Sequence, residues 1–492
     1  MADTSMKQPL IDETGNPEGY INLAEYDATM MEWPGIAIAN IYTGAACVNA
    51  LTTAVENVVA KHPILGGRLV KVPKTQAASG FAVRLLPGVS GVPIRVFNLS
   101  ADEEAQASKV TPKSMVADFW SSQSICVELF DKCLPGKVTV DQDMPLMTVV
   151  IGVGKSLFSL GISLSHAIAD GWSYYRVCEL ISAELSNTTV SMTHERVEMD
   201  KALAAHTTKV SSWTATKHSM WYPLLFFIRS LSRKLETRAQ TTLHFTESDL
   251  AKLKAAARNS APDCPIISGN DCLYSIICNA LEGVHSGTYA SNLRGKVPDL
   301  PHDLFGNCEG VWHFTKSGPE FHAMDTRRSI LANGADPGTT MTNLFCSRVY
   351  LFTSWAKVQH FVTIPGATLQ CHACFSTLED YSSVLWKTDF AVCYKNSATE
   401  YFAVIWHRKS DIPRLQAACA KAGIMYSTQQ ADELKEKISK KNEGVITEPK
   451  KGGNKMSVVG LFLLGVVAVA AVAVVYRGRM VRDPSIVSPS LT

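Results

Sequence analysis

SLFSLGISLSHAIADGWSYYRVCELISAE, residues 156–184, reads as a strand, a tight turn and a helix. Phe158, Leu160, Ile162 and Leu164 alternate with Ser159, Gly161, Ser163 and Ser165, and that period of two predicts a half-buried strand. His166 stands where the strand should end, and Ala167–Gly171 form the turn. Tyr174, Val177, Leu180 and Ile181 then recur at helical spacing, with Asp170 placed to cap the helix. Two readings of His166 follow. It is a hydrogen-bonded structural histidine, or it is a general base, since an imidazole titrates near neutral pH and can take a proton from a hydroxyl as that hydroxyl attacks. The small neighbours Ser165, Ala167, Ala169 and Gly171 leave room for a substrate.

HAIADG resembles the HxxxDG motif of the coenzyme-A-dependent acyltransferase superfamily, in particular its BAHD branch. Further segments follow in the order that family shows them. His62–Leu69, HPILGGRL, is similar to its early YPxLAGRL segment, and Pro145–Asp170 to its hairpin leading into the active histidine. Ile267–Leu281, ISGNDCLYSIICNAL, resembles the helix start that opens its second half, and Leu304–Cys308, LFGNC, its YFGN segment. Trp386–Phe390, WKTDF, sits where the family has DFGWG, and the resemblance runs from about Leu23 to about Gly423.

The resemblance implies an α/β fold of two chloramphenicol-acetyltransferase-like domains with the active site at their interface. It implies direct acyl transfer: His166 takes the proton of an acceptor hydroxyl or amine, which attacks the thioester of an acyl-CoA, with no covalent acyl-enzyme, no metal and no permanently bound cofactor. Acyl-CoA is the co-substrate. Asp170 is expected to pair with an arginine and hold the His166 loop, Gly171 to permit the close turn, and Asp389 to be structural, between the domains. Ser165 stands where the wider superfamily often has a second histidine. Asp389-Phe-Ala-Val-Cys393 departs from DFGWG, with Val392 in place of a tryptophan that could donate to a developing oxyanion. One such donor is typically worth about 10²–10³ in rate.

A chain of 492 residues exceeds one ordinary core, so two domains are expected. It is 46% hydrophobic and 19% charged, with 47 basic and 45 acidic residues, so nothing points to nucleic acid. Its 13 cysteines follow no regular spacing and predict reduced thiols. Cys371-His-Ala-Cys374 is one CxxC; with no second pair to complete a zinc site, it reads as a strand with two buried thiols.

The expected organisation is a loose N-terminus over 1–19, an N-terminal acyltransferase domain over 20–195 and a crossover over 196–240. A C-terminal acyltransferase domain spans 241–425 and a charged tether 426–455, with 428–441 helical in character. In the crossover, Trp221–Ile228, WYPLLFFI, flanked by Lys217, Arg229, Arg233 and Lys234, reads as buried packing or as an interfacial anchor. Met456–Val475, MSVVGLFLLGVVAVAAVAVV, holds no charge over 20 residues. At 1.5 Å per residue it spans about 30 Å, a bilayer's hydrocarbon core. It is expected to be a C-terminal transmembrane helix followed by a short tail over 476–492. That predicts a single-pass, tail-anchored protein with its catalytic part in the cytosol, on the endoplasmic reticulum or an organelle outer membrane.

The leading reading is a membrane-anchored, monomeric acyltransferase. It moves an acyl group from acyl-CoA to a hydroxyl of a lipophilic acceptor such as a sterol, terpenoid, carotenoid or long-chain alcohol. An N-acyltransferase or wax-ester-type synthase with the same base, and a non-catalytic acyl-CoA-binding homologue, are the alternatives.

Overall fold

Side-chain alternation sets the layers. Along Ile36–Thr43, Ile36, Ile38 and Tyr42 enter one core while Ala39 and Ile41 enter another. A strand apolar on both faces is covered on both. The computed structural model describes residues 19–31, 33, 35–86, 92–111, 114, 140–199, 201–202, 238–260, 262–264, 266–315, 320–331, 348–375, 389–397 and 399–430. All of them belong to one compact unit.

The first half runs β1 (Tyr20–Asn22), α1 (Glu25–Met30), β2 (Ile36–Thr43), α2 (Val48–Lys61), β3 (Arg68–Lys71), β4 (Phe81–Arg84), β5 (Ile94–Asn98), α3 (Ala101–Ala107), β6 (Met147–Val153), β7 (Leu157–Leu164) and α4 (Gly171–Ser186). The second half runs β8 (Arg238–Thr246), α5 (Glu247–Asn259), α6 (Gly269–Ala280), β9 (Val284–Asn292), β10 (Glu309–Thr315), α7 (Ala323–Leu331), β11 (Arg348–Ser354), β12 (Thr368–Phe375), β13 (Asp389–Lys395), β14 (Glu400–Arg408), α8 (Ile412–Ala422) and β15 (Met425–Gln430).

One sheet has the order β12-β2-β7-β6-β5 and another β10-β9-β11-β13-β14-β8-β15, with a small third of β1-β4-β3. The two large sheets share a core to which Ile41, Val150, Cys371, Val392 and Val404 contribute. Helices α2 and α4 cover the other face of the first sheet through Leu51, Val55, Tyr174, Val177 and Ile181. Helices α6 and α8 cover the second sheet through Leu273, Ile277, Leu415 and Cys419. Strand β12 comes from the second half of the chain but pairs antiparallel with β2, from Thr368↔Thr43 to Phe375↔Ala37.

The expected strand, turn and helix around His166 are observed, but the strand is not half-buried: its serine face, with Ser159 and Ser163, is covered as well as its apolar face. Strand β7 is buried along its whole length, and α4 starts where Asp170 Oδ1 accepts the Ser173 N–H at 2.8 Å. The expected helical reading from Thr428 differs from the structure: past Gly423 the chain reverses, and 425–430 form β15 on the edge of β8. An open ladder edge there outweighs weak local propensity.

The expectation of a C-terminal transmembrane helix is corrected. No helix among the described residues is long and apolar enough to cross a membrane. The 16-residue α4 falls short of the ~20 residues a bilayer needs. Residues 456–475, on which that reading was placed, lie outside the described residues, as do 1–18, Trp221–Ile228 and most of the tether. The tail-anchored, single-pass localisation is corrected with it.

Candidate active site

His166 follows β7 directly, so a rigid central strand fixes where its imidazole emerges. Nδ1 of His166 lies 3.1 Å from Asn307 Oδ1. The amide nitrogen of Asn307 donates to His166 O at 2.9 Å and to Asp27 Oδ1 at 2.9 Å. Burial pushes the imidazole below its ordinary value, and Asp170, the backbone, Asn307 and Asp27 offset part of that. A ring held neutral near pH 7 can accept a proton.

Asp170 faces away from this imidazole, into a buried ion pair. Its Oδ2 accepts from Arg294 Nη1 at 2.8 Å and from the Cys308 N–H at 3.0 Å, and its Oδ1 from Arg294 Nη2 at 3.2 Å. Burial would raise this carboxyl, but Arg294 and the N–H donors outweigh it and hold it below the usual carboxylate range. Arg294 also donates to Gly306 O at 2.7 Å and Ser173 Oγ at 2.9 Å, and stacks 4.2 Å from the Trp172 ring centroid. One guanidinium thus ties the start of α4 to the Phe305–Cys308 segment that carries Asn307.

Gly171 is required for a reason other than the turn. A Cβ there would meet Trp355 Nε1 at 2.5 Å, so the indole lies directly on the backbone at the start of α4. Trp355 follows β11, its backbone N–H donates to Cys393 O at 2.8 Å, and its ring packs edge-on against Tyr175. Among the described residues its indole N–H has no hydrogen-bond partner, and the side chain is partly exposed.

Asp389 stands apart from His166. It opens β13 in register with Tyr350, four residues before Cys393, whose carbonyl binds Trp355. At 3.3 Å per residue that is about 13 Å along the strand. Its partners are Arg238 at 3.0 Å and Arg348, which also holds Asp411 at 2.6 Å, in a buried charge cluster within the second sheet. Val392 is buried in the core between the two large sheets, so its side chain does not mark an oxyanion position. Trp386–Thr388 lie outside the described residues. Cys371 is a buried free thiol on β12, pushed up to about 12 by burial.

Sequence reasoning missed Asp27, Asn307, Trp355, Arg196 and Arg294 as neighbours of the motif. Arg196 donates to Ile168 O at 3.2 Å and lies 3.6 Å from Asp27. Gly306, at φ +150°, passes so close to Arg196 that a Cβ would come within 2.7 Å of Nη1. The LFGNC segment holds the one available signal, since its resemblance to the YFGN segment singles out Asn307 without showing that it partners His166.

The sequence matches no protein-family model, and a search of curated proteins finds no match. Solved structures do match. F. graminearum TRI101 complexed with coenzyme A and deoxynivalenol superposes with a TM-score of 0.55 at 14% identity, covering 83% of this chain and 99% of that one. F. sporotrichioides TRI101 complexed with coenzyme A and T-2 gives 0.55 at 15%, covering 84% and 99%. Vinorine synthase gives 0.53 at 14%, covering 83% and 93%. At such identity the likeness is one of fold. The chain has the fold of TRI101 and vinorine synthase, as the resemblance of its motifs implies.

Proposed function

We propose that this protein transfers an acyl group from an acyl-CoA to a hydroxyl, with His166 as the general base. The observation that carries the reading is the imidazole itself. It is fixed at a strand end, bonded through Nδ1 to Asn307, held neutral by burial, and has no partner for Nε2 among the described residues. In this reading Nε2 takes the acceptor proton as the oxygen attacks the thioester carbonyl. The C–S bond then breaks, and the leaving thiolate recovers the proton from the imidazolium. Proximity and general-base assistance supply the activation without an acyl-enzyme.

Trp355 is the proposed donor to the carbonyl oxygen as it becomes negative. Its free indole N–H lies on Gly171, five residues from the base. It supplies what Val392, in the core, does not. Asp170 and Arg294 hold the turn and remain outside the chemistry. Asp389 serves the second sheet. Acyl-CoA as donor is supported by the fold and by the TRI101 structures, which contain coenzyme A. The expectation of a lipophilic acceptor rested on the membrane anchor and is replaced here by the coarser class, a hydroxyl.

The test is incubation of the full chain with acyl-CoAs of short and long chain, and with short alcohols, lipophilic alcohols and amines. Thiol release and product mass are followed together. Ester formation coupled to free coenzyme A is expected. Amide products alone would replace the hydroxyl acceptor, and acyl-CoA binding without turnover on any acceptor would make the chain a binding homologue.

A further inference from the structure

Two histidines outside the reaction face one another. His62 follows the last residue of α2, and its Nδ1 lies 2.7 Å from Nε2 of His194, with the rings edge to face and their centroids 4.9 Å apart. A contact of that length between two ring nitrogens holds one hydrogen, donated by one ring and accepted by the other. The second nitrogen of His194, Nδ1, is buried and has no hydrogen-bond partner among the described residues. Both ways of charging the pair are therefore opposed while the contact is closed. A charged His62 needs His194 to accept, which puts the hydrogen of His194 on its buried Nδ1, where no acceptor meets it. A charged His194 needs a proton on that same Nδ1, with Arg196 repelling it. Burial, His62 and Arg196 push His194 down to about 4. Burial and Lys61 hold His62 below its ordinary value, and Glu184, which pairs with Lys61, opposes them in part.

The contact clasps a strap that reaches the site. Thr193 donates its N–H to Asp303 O at 3.0 Å and accepts the Phe305 N–H at 2.8 Å. The His194 ring packs edge-on against Phe305 at 5.7 Å. The Arg196 guanidinium lies 5.7 Å from the centroid of the same Phe305 ring and donates to Ile168 O at 3.2 Å. Residues 193–196 thus brace both the turn that carries His166 and the segment that carries Asn307, and His62 ties them to the end of α2.

We propose that the His62–His194 contact is a proton-sensitive latch: it holds the Thr193–Arg196 strap against α2 at neutral pH and opens in acid, loosening the two segments that flank His166. The latch does not depend on what His166 does. The sign follows from the closed pair being neutral. Free imidazoles titrate near 6.5, so the opened rings take up protons that the closed pair refuses. The contribution of the contact is fully present above about pH 6.5 and is lost as pH falls from there towards the folded value of His194, about 4. Opening of one strap, with the sheets intact, is a local event.

The experiment is amide hydrogen exchange of the full chain at about pH 7 and about pH 5, read as protection factors with the intrinsic pH dependence removed. The Thr193 and Phe305 amides are expected to lose protection about tenfold or more between the two, while an amide of the central strand β7, such as that of Ile162, keeps its own. His194→Gln is the informative variant. Its amide donates to a neutral His62 Nδ1 and, once rotated, accepts from a charged one, so its closed form takes the proton; its Thr193 and Phe305 amides should be equally protected at both pH values. Equal protection of those two amides in the wild type at both pH values overturns the proposal. So does an equal loss at Ile162, which would be global unfolding. Both are read on the wild type, whether or not the variant folds. A His194→Gln protein that loses the same factor overturns it as well, because some other group then senses the acid. Turnover plays no part in the readout, so a failure of the acyltransferase reading would leave the latch standing.

Discussion

Asp170→Asn separates holding the turn from doing chemistry. The substituted amide keeps an oxygen for the Ser173 N–H, so the helix cap survives, but the charge facing Arg294 is gone. Asp170 and Arg294 have 2% and 1% of their side chains exposed, so the stranded guanidinium cannot be rescued by water. Breaking one side of such a pair costs about 3–5 kcal/mol. For a body of this size the thermal midpoint should fall by on the order of 5 °C. The pH dependence follows from the sign of the shift. The folded carboxyl titrates below its ordinary value of about 3.9, so its contribution is fully present above that value and is lost as pH falls through the folded value. The gap between wild type and variant should therefore hold steady from about pH 5 to 8 and close below about pH 4. Adding Arg294→Met removes the stranded charge, so the double variant should be less destabilised than the two single costs summed. The assay is thermal and denaturant melting of the three variants and the wild type across that range. Equal midpoints at pH 7, with activity lost in Asp170→Asn, would refute the structural role and place Asp170 in the reaction.

Trp355→Phe keeps the ring over Gly171 and removes only the N–H; turnover should fall about 10²–10³-fold, with acyl-CoA binding by calorimetry changed less than a few-fold, and unchanged turnover would remove Trp355 as the oxyanion donor. Glu309 opens β10 beside Asp170; burial and that neighbouring carboxylate push it up to about 8, with Arg294 opposing. Between about pH 4.5 and 8 the folded chain then binds a proton that the unfolded chain has released, so stability should fall with rising pH across that window. Glu309→Gln should melt higher than wild type at pH 8 and no differently at pH 4, and a variant less stable at pH 8 would contradict this.

The sequence disclosed most of what lies close together in the chain. Strand β7, its turn and α4 were legible because β7 and α4 each follow one period and Asp170 is a capping residue at the right place. Helices α5 and α6 are capped in the same way by Thr246 and Ser268, each side chain accepting the N–H three residues on. Contacts across the chain were not legible. Asp27 lies 280 positions from Asn307, and nothing local to Leu23–Asp27 marks it as a partner. Nothing local to Trp355 marks it, because only the approach of β11 to Gly171 gives its indole a role. The hairpin between β6 and β7 turns at 154–157, a position set by Glu104, from α3, which accepts the Lys155 and Ser156 N–H groups at 3.0 and 2.7 Å. The resemblance of the Asp389 segment to DFGWG rests on Asp-Phe alone, and the structure puts Val392 in the core between the large sheets. The transmembrane reading rested on length and apolarity of 456–475, and the described helices give it no support.

The claim on which the rest depends is that His166 is the base, and acyl transfer by wild type and His166→Ala measured side by side tests it most directly. The account predicts that wild type releases coenzyme A only with an acceptor present, that kcat/KM holds at neutral pH and declines only below about pH 6.5, and that His166→Ala loses about 10²–10⁴ in rate while binding acyl-CoA within a few-fold. Equal turnover in the two proteins would contradict it and remove His166 from the mechanism.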